Sequence, residues 1–195
     1  MNKWLQPVEL TSELVTLVPL TLEHEVDLMQ AASDGELWRL WFTSVPEPKA
    51  TRAYIEKAID QQLNDKALPF AVIDNRSGEV VGSTRLCNAW PEHRRIEIGY
   101  TWYANKAQKT GINTQTKLLL LEHVFERLNC IAVEFRTHWH NHNSRRAIAR
   151  LGAKQDGVLR NNQILPDGSY RDTVVFSILD NEWPAVRNAL QHKLK

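Results

Sequence analysis

At 195 residues the chain is long enough for one well-buried core and too short for two comfortable domains. Its 43% hydrophobic and 24% charged content is that of a soluble globular protein, and a formal net charge of +1 argues against strong attraction to nucleic acid or an acidic membrane surface. Cys87 and Cys130 are too few for a disulfide framework and show no metal-ligand spacing, so both are expected as packed thiols without a chemical role. No apolar run approaches the roughly 20 residues that span a bilayer. The first ten residues lack the apolar stretch of a signal peptide. The cytoplasm is therefore the expected compartment.

Glu13 to Val18 reads as a strand ended by Pro19. Thr21 is placed to cap a helix running to about Ser33, with Glu23 and Glu25 near its positive end. Glu36 to Phe42 predicts a short aromatic helix, Pro46 and Pro48 break the chain, and Thr51 to Leu63 predicts an amphipathic helix. A meander follows: Phe70 to Asp74, turn residues Asn75 to Gly78, then Val80 to Leu86. Arg95 to Tyr103 alternates, which places Ile96, Ile98, Tyr100 and Trp102 on one face and Arg95, Glu97, Gly99 and Thr101 on the other.

Between that strand and a helix predicted over Thr114 to Leu128 lies Gln108-Lys109-Thr110-Gly111-Ile112-Asn113. A glycine loop feeding a helix start can aim several free backbone N–H groups one way, and the helix dipole adds positive charge there. This suits a phosphate or pyrophosphate. Lys106, Lys109 and Lys117 can add charge, and Asn113 is the candidate helix cap. Ile131, Val133 and Phe135 alternate in a strand that ends near His138. A helix over Ser144 to Leu151 stops at Gly152. Val158 to Leu165 and Tyr170 to Leu179 flank a Pro166-Asp167-Gly168 turn, and Glu182 to Leu194 reads as a final helix. The sum is an α/β (α+β) single domain: a mixed central sheet with an antiparallel N-terminal meander, helices on both faces and a C-terminal β-hairpin.

This pattern resembles the GCN5-related N-acetyltransferase (GNAT) family, and more narrowly its RimJ/RimL-like branch. The resemblance rests on three segments and runs from Val15 to the final hairpin. Ile96-Glu97-Ile98-Gly99-Tyr100 leads into the loop, where Gln108 and Gly111 match the family's acetyl-CoA motif and Asn113 replaces its small last residue. Asn141-His-Asn-Ser144 through Gly152 is similar to the family's second helix start. Gly157 to Arg160, Pro166 to Gly168 and Arg171-Asp172 are similar to the branch's closing hairpin.

The resemblance implies an acetyl-CoA-dependent N-acetyltransferase acting on a primary amine, either a protein N-terminus or a small molecule, by direct attack. From the charge balance and the missing apolar span no nucleic-acid or membrane partner is expected, and no metal; a homodimer is an option that the hairpin and the C-terminal helix leave open. Cofactor contacts then fall to Gln108, Lys109, Thr110, Gly111, Ile112, Asn113 and, along the pantetheine, Asn141. Glu97 is the candidate base, with Glu134 a rival; the alternative role for Glu97 is a pair with Arg85, Arg95 or Arg136. The family's usual thiol-protonating tyrosine position holds Ile148, which leaves Ser144 as the candidate proton donor or, alternatively, a helix N-cap. Trp38, Trp41, Phe42, Trp90 and Trp139 are expected to flank the acceptor. His138, His140 and His142 alternate without an acidic cluster to complete a metal site. A non-catalytic acyl-CoA-binding module is the rival reading. A nucleotide P-loop is disfavoured because no Gly-Lys-Ser/Thr ends the loop.

Overall fold

The computed structural model describes residues 3–195. Eight strands form one sheet: β1 (Leu10–Thr11), β2 (Val15–Pro19), β3 (Ala67–Asp74), β4 (Glu79–Trp90), β5 (Arg95–Tyr103), β6 (Ala132–His138), β7 (Lys154–Ile164) and β8 (Tyr170–Leu179). Their order is β1-β2-β3-β4-β5-β6-β8-β7. Five helices accompany them: α1 (Glu25–Ser33), α2 (Thr51–Leu63), α3 (Ile112–Glu122), α4 (His142–Arg150) and α5 (Trp183–Lys193). Every neighbouring pair is antiparallel except β5 and β6, whose connection through α3 returns the chain in the same direction. No helix among the described residues is long and apolar enough to cross a membrane.

Two cores sandwich the sheet. Leu17, Phe70, Leu86, Ile96, Ile98 and Val133 pack on one face with Leu120, Leu121 and Ile148 of α3 and α4 and with Trp183 and Leu190 of α5. Ala71 and Trp102 pack on the other face with Leu28 and Ala32 of α1 and Ile55 and Ala58 of α2. The helices on both faces that the patterning implies are thus present.

Three expectations are corrected. First, the alternation in β5 breaks. Arg85 pairs with Gly99 but Ser83 pairs with Trp102, so β5 carries one extra residue, and Tyr100 takes a φ of 51°. This β-bulge turns Tyr100 and Trp102 to the face opposite Ile96 and Ile98, where Trp102 joins the α1–α2 core. Second, the helix expected from Thr114 begins at Ile112 because Gly111, at φ 92°, is its N-cap; Asn113 lies inside the first turn and is not the cap. The same helix closes in one π turn, His123–Arg127. Third, Glu36 to Phe42 holds only a 3-10 turn, Leu37–Arg39, since Gly35 and Glu36 both adopt positive φ and the helix does not propagate.

The bulge has a buried consequence. Lys117 of α3 is only 5% exposed, and its Nζ donates to Thr101 Oγ1 at 2.7 Å, beside the 2.7 Å Thr84–Thr101 hydroxyl pair. Burial without a carboxylate partner lowers its pKa from 10.5 to about 7. The unfolded chain binds this proton more tightly than the folded one, so between the two values stability rises with pH. Wild-type protein is therefore expected to gain stability as pH rises from about 7, an effect that ionisation of the unfolded-state cysteines, with a reference pKa near 8.5, opposes from about pH 8. Lys117→Met should flatten that slope in urea titrations. An identical slope in both proteins would show that Lys117 is charged when folded.

Candidate active site

The site forms where the parallel pair comes apart. β5 and β6 are in register only over Arg95↔Ala132, Ile96↔Val133 and Glu97↔Glu134. Beyond those residues β5 runs on to Tyr103 and β6 to His138 with no mutual pairing. A cleft thus opens at the carboxyl ends of two parallel strands, the usual ligand position in such sheets. The starts of α3 and α4 follow directly after those strand ends.

The loop before α3 holds the free donors. Among the described residues, the backbone N–H groups of residues 109–114 donate to no acceptor. Lys109 and Gly111 both have positive φ, which curls the loop. Gln108 turns inward, with Nε2 donating to Tyr103 O at 3.2 Å, and Thr110 Oγ1 donates to Ala107 O at 2.7 Å. These two side chains brace the loop, and the backbone amides of Lys109, Thr110, Gly111, Ile112 and Asn113 are left without an acceptor among the described residues. Of the three candidate lysines, Lys106 is bound to Glu79 at 2.6 Å and Lys117 is buried. Lys109 alone remains available.

At α4, Asn141 is the N-cap: its Oδ1 accepts from Ser144 N at 3.0 Å. Ser144 is therefore not the cap, and its hydroxyl is not engaged in capping. The Nδ2 group of Asn141 is left as the donor. Ile148, where the family places a tyrosine, is 8% exposed and part of the core.

Glu97 lies on the opposite face of the sheet at the last paired position of β5 and is 8% exposed. Its Oε2 accepts from Asn88 Nδ2 at 2.7 Å and lies 3.6 Å from Arg136 Nε. Burial pushes its pKa above the ordinary carboxylate range, partly offset by the Asn88 hydrogen bond and the Arg136 charge. Glu134, the rival, accepts from Arg95 at 2.8 Å and Arg136 at 2.9 Å. Burial would raise its pKa, but those two bonds outweigh it and hold Glu134 ionised and occupied. A base needs a free lone pair and a raised pKa, and Glu97 has both. A cavity of about 280 Å3 covers these groups, lined by Asn88, Trp90, Arg95, Glu97, Glu134 and Arg136. A larger cavity of about 340 Å3, between Asp27, Asp34, Glu79 and Lys106, contains only one candidate residue, Lys106, which is paired there with Glu79.

Trp41 and Phe42 reach the far end of β6, with ring centroids 4.8 and 6.2 Å from His138. Trp90 borders the Glu97 cavity. Trp139 instead lies under the Arg145 guanidinium at 4.3 Å, and Trp38 packs on the α1–α2 core. Among the described residues no group of three His, Cys, Asp or Glu side chains can hold a metal.

Sequence reasoning missed Gly99. A Cβ there would stand 2.8 Å from Glu97 Oε1 and 3.3 Å from Cys87 Sγ. The bare Cα is what lets the carboxylate fold back along its own strand. The Glu-x-Gly spacing carries that signal, but only in combination with the bulge that follows.

The acetyltransferase (GNAT) domain profile matches residues 15–154, and the chain belongs to this family. A GCN5-related N-acetyltransferase from Brucella melitensis shares 34% identity, with 98% of this chain and 87% of that chain covered and a TM-score of 0.87. The fold is also shared at lower identity. A RimL ribosomal alpha-N-protein acetyltransferase aligns at 18% identity, 90% and 96% coverage and a TM-score of 0.76. A microcin self-immunity acetyltransferase in complex with acetyl-CoA and AMP aligns at 19%, 86% and 93% coverage and 0.75. No curated protein sequence matches the chain.

Gly99→Ala should displace the Glu97 carboxylate while sparing the backbone, since Gly99 does not have a positive φ. We expect a loss of transfer activity on the order of 10²-fold with unchanged acetyl-CoA binding and a melting temperature close to wild type. Full activity in this variant would show that the position of Glu97 is irrelevant to turnover.

Proposed function

We propose that the protein is an acetyl-CoA-dependent N-acetyltransferase in which a primary amine attacks directly within a ternary complex. The observation that carries this reading is the cleft itself. It is open to the α3–α4 face, which offers free amides, and to the opposite face, which offers a buried carboxylate of raised pKa. Acetyl-CoA, when bound, supplies the activated acyl group as a thioester.

The residues divide the remaining tasks. The amides of residues 109–113 and the α3 dipole hold the pyrophosphate, and Asn141 Nδ2 donates to a pantetheine carbonyl. Glu97 takes the proton of the incoming amine. Asn88 fixes Oε2 and leaves Oε1 for that proton. The Ser144 hydroxyl donates to the leaving sulfur. Cys87 is beside Glu97 in the β4–β5 register, but it is buried, and burial raises its thiol pKa further than the nearby Glu97 charge does. A neutral thiol is a poor nucleophile, which favours direct attack over an acyl-cysteine. Glu97 suits an α-amine, with a reference pKa near 7.7–8.0, better than a lysine amine near 10.4. That preference and the RimL-like fold neighbour support the RimJ/RimL-like branch.

The test joins binding to turnover. Acetyl-CoA and CoA should raise the melting temperature and ATP should not. Thiol release with an amine panel should show an acid limb whose midpoint lies above the ordinary carboxylate range. Glu97→Gln should lower kcat by about 10²–10⁴-fold and abolish that limb, with the CoA-dependent shift retained. A CoA shift with no thiol release from any acceptor would favour a non-catalytic acyl-CoA-binding module.

A further inference from the structure

The floor on which Glu97 stands is a single polar sheet face. Glu134, its register partner, is followed at alternate positions of β6 by Arg136 and His138. His138 pairs with Thr173 of β8, and Arg171 precedes Thr173 by two residues on the same strand. None of α3, α4 or α5 covers this face, because their core residues pack on the other side with Phe135, Val174 and Phe176.

The charges on this floor do not balance. Arg95 and Arg136 are paired with Glu134, and Arg136 is also near Glu97. Arg85 and Arg171, however, have no carboxylate within salt-bridge distance among the described residues. Arg85 is 2% exposed and held from two sides: its guanidinium lies 4.2 Å from the Tyr100 ring centroid and 5.4 Å from that of Tyr54, and Nη1 donates to Gln61 Oε1 at 2.6 Å, while its buried Nε has no partner among the described residues. Arg171 is different. Among the described residues its only side-chain hydrogen bond runs from Nε to Thr173 Oγ1 at 3.1 Å, which leaves both terminal nitrogens without an acceptor there. The adjacent acid, Asp172, is held by Arg160 at 2.5 Å and by the Asn161 amide at 2.8 Å. Arg171 lies within the electrostatic reach of Glu97 and Tyr100 on one side and of His138 on the other.

His138 supplies the second observation. It is 3% exposed, and its Nδ1 accepts from the His140 amide at 3.1 Å. That bond places the proton of the neutral ring on Nε2, a buried atom with no hydrogen-bond partner among the described residues. A donor left bare in this way is costly unless a ligand satisfies it. Burial, with the charges of Arg171 and His140, keeps the ring in this neutral form.

A guanidinium fork and a neutral N–H, both lacking acceptors, are the chemistry that binds a carboxylate. Resting on the transferase reading above, we propose that the acceptor is an amine that also carries a carboxylate. Arg171 and His138 Nε2–H hold the carboxylate while the amine lies at Glu97. Once Glu97 accepts the amine proton, the floor loses a negative charge, and the acceptor's own carboxylate offsets that loss. The carboxylate can belong to a free amino acid or to an acidic residue next to a peptide N-terminus.

The test uses acceptor pairs that differ only in this group. Thiol release at saturating acetyl-CoA is measured with free amino acids against their carboxamides. It is then measured with short peptides bearing Asp or Glu against Asn or Gln at the second position. In at least one pair the carboxylate member should have a kcat/KM at least about 10-fold higher, and the pair that responds identifies the source. Arg171→Gln should remove that advantage mainly through KM, leave the amide member unchanged and be partly rescued by Arg171→Lys. His138→Gln should act in the same direction. Equal rates within every pair, or an equal loss for both members in Arg171→Gln, would overturn the proposal and leave the transferase reading standing. No thiol release from any acceptor, with acetyl-CoA still bound, would overturn both.

Discussion

The parting of β5 and β6 after three paired residues is the constraint on which the rest of the molecule depends. Elsewhere the sheet is a continuous antiparallel ladder, and nothing small can enter it. The single parallel junction is made by a crossover helix, and the chain diverges there because β5 bulges at Tyr100 and turns its last residues away. The divergence exposes backbone that would otherwise be paired, and it brings two helix starts and a buried carboxylate to a common gap. The family's chemistry needs that meeting of a cofactor side and an acceptor side across one sheet.

The bulge also sets the electrostatics. On one face it carries Thr101 to Lys117 Nζ; on the other it lays Tyr100 over Arg85. Gly99, at the bulge, leaves room for Glu97 Oε1. Burial raises the pKa of Glu97 above the ordinary carboxylate range, while the Asn88 hydrogen bond and the Arg136 charge limit the rise. Glu134 shows the opposite outcome on the neighbouring strand, where two arginines hold a carboxylate ionised and unavailable. Two acids in register thus have pKa values shifted in opposite directions because their neighbours differ.

Local pattern made much of this readable. The bounds of α2, β5 and β8 follow from helical or alternating periodicity, and the loop before α3 was visible as a glycine between a strand and a helix. The departures share one cause: each depends on a residue's partner across space. The bulge is a matter of pairing with β4, so alternation alone assigned Tyr100 and Trp102 to the wrong face. Asn113 has the composition of a cap, but the positive φ of Gly111 put the helix start two residues earlier. Ser144 and Asn141 exchange the capping role because only the Asn141 side chain reaches back to the free amide. Lys117 read as a cofactor lysine, whereas its place on α3 turns it into the core. Arg171 and His138 were not singled out together because 32 positions separate them in the chain and β8 brings them to one face.

Hydrogen exchange on the full chain, with and without acetyl-CoA, tests the role of the cleft most directly. Amides 109–114 have no acceptor among the described residues and should exchange fast when free. Acetyl-CoA should slow them selectively, together with those β5 amides beyond Glu97 that are not bonded to β4, and should leave the β7–β8 hairpin unchanged. Protection confined to another surface, with residues 109–114 still exchanging fast at saturating acetyl-CoA, would contradict the account at its foundation.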